Sequence, residues 1–205
     1  MRCLKKNESQ PQENNYVPLQ KVFPMKKMLL LATVVVSCAI SSFTYFSKPA
    51  EANEIKWMTW KQMQEAQKKQ PRKIVVDVYT GWCGWCKRMD ATTFVHPEIV
   101  KYVNENYYAV KFDAETQETI HFNGKDYKYV NQGARGYNEL AAEILSGQMS
   151  YPTSVYFDEQ FNEIFPVPGY LDPPTFETVL NFVATNSYKT EKWDVYQSKF
   201  KGKVQ

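Results

Sequence analysis

A chain of 205 residues, 43% of them hydrophobic, is long enough for one packed domain and a leader. Of its 25 basic and 22 acidic residues, seven and three fall in residues 1–52, which leaves 18 and 19 in a nearly neutral body. That balance excludes the basic footprint of a nucleic-acid-binding domain, so no nucleic acid is expected as a partner.

The leader reads as an export signal. Lys26 and Lys27 precede the apolar core "MLLLATVVVSCAI", and "AEA" (Ala50 to Ala52) supplies small residues suited to cleavage. Met25 is the better start, because "MKKMLLLA" opens like a signal and the polar stretch before it does not. The apolar core is too short for a comfortable membrane span. Three readings stay open: cleavage near Ala52, lipidation of Cys38 in the lipoprotein-like box "VVSC", or an uncleaved anchor. All three place the body outside the inner membrane, in the periplasm if the source is a Gram-negative bacterium, where disulfides persist. The predicted organisation is a leader over 1–52, a domain over 53–187, and a C-terminal helix or tail over 188–205. Cys3 and Cys38 belong to the leader, so the body keeps only Cys83 and Cys86 and no disulfide framework staples it.

Within the body, "WMTWKQMQEAQKKQ" places Trp60, Met63 and Gln67 at helical spacing and ends before Pro71. "KIVVDVYT" is a short β-branched run of the kind buried in a parallel sheet. "CKRMDATTF" suits a helix starting near Cys83, and "HPEIVKYVNENY" another, with Pro97 in its first turn. "YAVKFDA" is a second buried strand. "TIHFNGKDYKYV" alternates around Asn123-Gly124, a strong hairpin signal. "GYNELAAEIL" is predicted helical with Asn138 as cap. "YPTSVYFD" is a strand entered through Pro152, "FNEIFPVPGY" its antiparallel partner, and "PPTFETVLNFVATN" a helix opened by prolines. "KTEKWDVYQSKF" is a terminal helix or a tail. Alternating β and α followed by a hairpin and a helix predict a mixed sheet with helices on its faces.

The chemistry concentrates in "VDVYTGWCGWCKRMD", Val76 to Asp90. Structural zinc needs four ligands, and the body offers only His96 and His121 besides the two cysteines, so no metal is expected. Covalent haem attachment wants His after the second Cys, where Lys87 stands. A static disulfide would close a very short loop, the least stabilising kind. A redox dithiol has a physical rationale. A helix N-terminus offers unpaired N–H groups and the positive end of the dipole, which favour thiolate at the first sulfur. Asp77 interrupts an apolar run in a strand covered on both faces, and burial raises a carboxyl pKa.

"VDVYTGWCGWCK" resembles the active-site strand and turn of the thioredoxin superfamily, matching at Val76, Asp77, Trp82, Cys83, Gly84, Cys86 and Lys87. It departs at Trp85, where thioredoxin itself has proline. "MDATTFVHPEIVKYVNENYYAVKFDAE" is more similar to periplasmic thioredoxin-like domains, such as the C-terminal domain of the transmembrane thiol:disulfide interchange proteins. "YPTSVYFD" resembles the cis-proline strand and "GYLDPPTFETVL" the final strand-turn-helix, so the likeness runs from about residue 55 to 187. The resemblance implies a thioredoxin-like α/β fold with a β-hairpin insertion, acting as a thiol–disulfide oxidoreductase. It implies no cofactor beyond the redox-active Cys83–Cys86 pair.

The resemblance also implies roles. Cys83 is the more exposed nucleophile and Cys86 the resolving thiol. Asp77 moves protons at Cys86, with Lys111 near it. Trp82 lies beside the dithiol, and Tyr151–Pro152 forms a cis bond opposite the cysteines, where a client docks. Trp85 either covers the disulfide or touches the substrate. The hairpin around Asn123-Gly124 either shapes partner choice or is decorative. Partners are protein thiols and disulfides of exported clients, and a membrane thiol–disulfide protein supplying electrons. Asp77 with Lys111, and the absence of histidine between the cysteines, favour a reductase. The rivals are an oxidase or isomerase, and a client-binding module without turnover.

Overall fold

The computed structural model describes residues 54–204. The features expected of a leader, among them Met25, Cys38 and the "AEA" stretch, lie outside those residues.

The chain enters through a short strand β1 (Trp57–Met58) and helix α1 (Trp60–Lys69). The helix begins at Trp60 rather than Trp57 because Thr59 and Gln62 form a capping box, Thr59 accepting from the Gln62 N–H and Gln62 from the Thr59 N–H. Trp57 and Met58 instead pair with Ala109 and Val110. Strand β2 (Lys73–Tyr79) follows, then helices α2 (Gly84–Thr92) and α3 (Pro97–Asn106) and strand β3 (Tyr107–Asp113). The Asn123-Gly124 signal gives the hairpin β4 (Ile120–Phe122) and β5 (Lys125–Tyr127), and both turn residues have positive φ.

A second hairpin, β6 (Tyr129–Gln132) and β7 (Arg135–Asn138), corrects the reading of "GYN" as helix. Gly133, at φ +80°, supplies its turn. Helix α4 (Glu139–Ile144) starts later, with Asn138 capping as expected by accepting from the Leu140 N–H. Strands β8 (Thr153–Phe157) and β9 (Glu163–Pro168) and helix α5 (Pro173–Ala184) complete the expected elements.

Among the described residues, five strands form one sheet in the order β1-β3-β2-β8-β9. Strand β2 is central, parallel to β3 and antiparallel to β8. This is the predicted mixed α/β sheet.

Strand alternation then sorts the side chains into two layers. Ile74, Val76 and Val78 of β2 pack with Trp60, Met63 and Leu140 on one face. Val75 packs on the other, with Met89, Ile99 and Phe176. Asp77 and Lys111 share the parity of Val75 and Ala109, so both belong to the face covered by α2, α3 and α5.

The terminal segment is helical. Helix α6 (Trp193–Lys199) sets Trp193 and Tyr196 against Phe182, with ring centroids 5.4 Å and 4.9 Å away. The Glu177 carboxylate accepts from the Lys203 and Val204 N–H groups, so packing runs past residue 187.

Candidate active site

The strand β2 ends in a turn, Cys83 N–H donating to the Thr80 carbonyl at 3.1 Å, and the chain passes straight into α2. Cys83 is the N-cap of α2, its Sγ accepting from the Cys86 N–H at 3.0 Å. Three residues on, Cys86 sits one turn inside the helix, and the two sulfurs are joined as a disulfide. The cap position puts Cys83 Sγ at the positive end of the helix dipole, with an N–H ready to stabilise a thiolate after reduction. Both cysteines are largely covered in this oxidised form, Cys83 at 5% exposure and Cys86 at 2%.

A charged cluster joins the strand that leads into the dithiol turn to the helix that follows it. Asp77 and Lys111 are direct partners across the β2–β3 pair, and the Lys111 ammonium donates to Asp77 Oδ2 at 2.5 Å. The same ammonium donates to Asp90 Oδ1. Asp90 was missed from sequence, although it stands four residues after Cys86 on one helix and so on the same face. The rings of Trp57, Tyr79 and Phe94 surround the ammonium at 5.1, 5.0 and 4.9 Å.

Asp77 is 2% exposed, and its Oδ1 has no hydrogen-bond partner among the described residues. Burial pushes its carboxyl up to about 6, against the pull of Lys111. Burial also opposes the charge on Lys111, but Asp77 and Asp90 outweigh it and hold that amine above its ordinary range.

Strand β8 delivers the other wall. Its register pairs Val78 with Thr153, which brings Pro152 level with the end of β2. The Tyr151–Pro152 peptide is cis, and the Pro152 carbonyl accepts from the Gly169 N–H. The Tyr151 ring meets Trp82 edge-on at 6.0 Å. The Trp82 indole N–H donates to Glu115 at 3.0 Å, and the Arg135 guanidinium lies 4.1 Å over its ring. Trp85 tilts against Tyr170 at 5.5 Å, with Arg88 over both rings. The structure thus pairs Asp77 with Lys111, joins Cys83 to Cys86, and sets Trp82 against Tyr151 of the cis Tyr151–Pro152 bond, while Trp85 packs on Tyr170.

Among the described residues no group of three or more His, Cys, Asp or Glu could hold a metal ion. No described helix is long and apolar enough to cross a membrane.

A joined cysteine pair at a helix N-terminus, on a mixed sheet with helices on both faces, defines a thiol–disulfide oxidoreductase. The sequence matches the thioredoxin-like domain over residues 60–184, and the chain belongs to that family. Similar solved structures include the oxidoreductase DsbH, 16% identical over 68% of this chain and 90% of that one, with a TM-score of 0.48. A thioredoxin-fold protein from Helicobacter pylori is 22% identical over 63% and 79%, TM-score 0.48. The oxidised C-terminal domain of DsbD from Neisseria meningitidis is 22% identical over 62% and 90%, TM-score 0.41. No curated protein matches the sequence. The family assignment rests on the domain match.

Proposed function

We propose that this protein is an exported reductase of client-protein disulfides, kept reduced by a membrane thiol–disulfide partner. The observation that supports the direction is the Asp77–Lys111 pair on the strands beside the dithiol turn, a pairing similar to that of the family's reducing members, together with the absence of histidine between the cysteines.

In the forward reaction Cys83 thiolate attacks one sulfur of a client disulfide. A Cys83–client bond forms as the client S–S bond breaks, and the departing client sulfur takes a proton. Cys86 then loses its proton to Asp77 and attacks Cys83 Sγ. The intramolecular disulfide closes, the second client thiol leaves, and two electrons have passed from the dithiol to the client. Lys111 and Asp90 hold Asp77 in place, while Trp82, Trp85, Tyr151 and Pro152 form the docking edge. The periplasm is the compartment that fits the signal-like leader. The domain boundary near residue 53 belongs to the same reading.

Equilibration with glutathione tests the direction. A reductase should have a potential nearer to the approximately −270 mV of thioredoxin than to the approximately −120 mV of the strong periplasmic oxidant. A value above about −180 mV would favour oxidase or isomerase work.

A further inference from the structure

Two exposed tryptophans each precede a cysteine of the disulfide, Trp82 at 50% exposure and Trp85 at 58%. Large aromatic rings this open beside a disulfide mark a contact surface. The backbone next to them is open as well, since a side chain placed at Gly81 or Gly84 would meet nothing within 4 Å. Each indole carries a guanidinium on its face: Arg135 at 4.1 Å from the Trp82 centroid, Arg88 at 5.7 Å from those of both Trp85 and Tyr170.

A guanidinium lying over a ring can still turn N–H groups toward a planar anion. Among the described residues, neither Arg88 nor Arg135 belongs to an ion pair. The acids nearby keep their charges but are half-buried, whereas Arg88 and Arg135 are exposed. Asp90 is bound to Lys111, the Glu115 carboxylate accepts from the Trp82 indole, and Asp113 accepts from the Glu115 N–H. Lys87, exposed on the same helix, adds to the positive side. The exposed charges of Lys87, Arg88 and Arg135 therefore give the rim a basic outer face, and both guanidiniums lie over aromatic rings that adjoin the cysteines in sequence.

We propose that this rim selects clients by chemistry: an extended segment with a carboxylate beside the reacting cysteine, its apolar neighbours lying on Trp82 and Trp85. This rests on the thiol–disulfide reading above. Arg135 is supplied by the β6–β7 hairpin, so that hairpin contributes to partner choice. Arg88 is supplied by α2 itself. Both are specificity residues, since neither touches a sulfur atom.

The test uses the reduced full-length protein and three synthetic peptide disulfides that differ only in the residue flanking each cysteine: Asp, Asn or Lys. A small uncharged disulfide, bis(2-hydroxyethyl) disulfide, is the fourth substrate. The expected result is kcat/KM falling from Asp to Asn to Lys, with about a fivefold span at low salt, the scale of exposed ion pairs. Added salt should compress that span. In the Arg88→Gln, Arg135→Gln double variant the ratio of Asp to Lys peptide should fall to about one, whatever the absolute rates. Equal rates for all three peptides with the native protein, or an unchanged ratio in the double variant, would overturn the specificity proposal alone. Failure to reduce any of the four disulfides would overturn the reductase reading and this proposal with it.

Discussion

Replacing Asp77 by Asn should make the protein more stable at neutral pH and a slower catalyst. Asp77 is 2% exposed, and its carboxyl is raised from 3.8 to about 6. At about 1.4 kcal/mol per unit, the ionised side chain costs the fold about 3 kcal/mol. Below 3.8 the carboxyl is protonated in both folded and unfolded chains, and there is no cost. Between 3.8 and about 6 the folded chain keeps a proton that the unfolded chain has lost, so stability falls as pH rises. Above about 6 the whole penalty is present.

Asparagine imitates the protonated carboxyl and carries no charge to bury. The attraction of Lys111, bonded to Asp77 at 2.5 Å in the native protein, is already contained in the value of about 6. The net gain should therefore be about 1–3 kcal/mol at about pH 8, shrinking to about zero or below at about pH 4. Urea unfolding of both proteins with the disulfide intact, repeated across that range, measures the difference. A variant no more stable at about pH 8, or a difference that stays constant down to about pH 4, would refute the claim that a buried charge is held here at a cost to stability.

The cysteines should divide their work: Cys86→Ser should accumulate mixed disulfides with clients on non-reducing gels and Cys83→Ser should trap little. Equal trapping would contradict the nucleophile assignment. Asp77→Asn should leave trapping by the Cys86→Ser protein nearly intact, yet slow client release when both cysteines are present, which quenched-flow analysis would resolve. Asp90→Asn leaves the Lys111 ammonium to Asp77 alone and removes a negative charge that raises the Asp77 carboxyl. The acid limb of the pH–rate profile should therefore move to lower pH, whereas a fall in rate with an unmoved limb would make Asp90 a packing residue. Gly136→Ala places a methyl group on the Tyr129 hydroxyl and the Val130 carbonyl. It should destabilise by about 1–3 kcal/mol, with amide exchange faster in β6 and β7, and an unchanged exchange pattern would count against a tightly packed hairpin.

Much of this protein was determined by local sequence. The β-branched run Lys73–Tyr79, the Asn123-Gly124 turn, the prolines opening α5 and the cysteine spacing each act within a few residues. Short-range sterics and capping decide them, so they could be read without a partner in view. The depth of Asp77 was legible too, because a carboxyl inside an apolar strand has little choice of surroundings. The expected leader rests on sequence alone, since its residues lie outside the described ones.

Only the tertiary structure decided which distant residues meet. Asp90 joins Lys111 because α2 packs on the face that strand parity assigns to Asp77 and Lys111, a coincidence of helix and sheet periods with no local signature. Trp57 and Met58 leave the helix because a parallel partner waits at Ala109 and Val110. Arg135 reaches Trp82 across more than fifty residues because a second hairpin folds back toward the dithiol turn. The terminal helix is held by Phe182 and Glu177, contacts that exist only once α5 is docked. Long-range contacts depend on packing and register summed over the whole domain, and a sequence window holds neither.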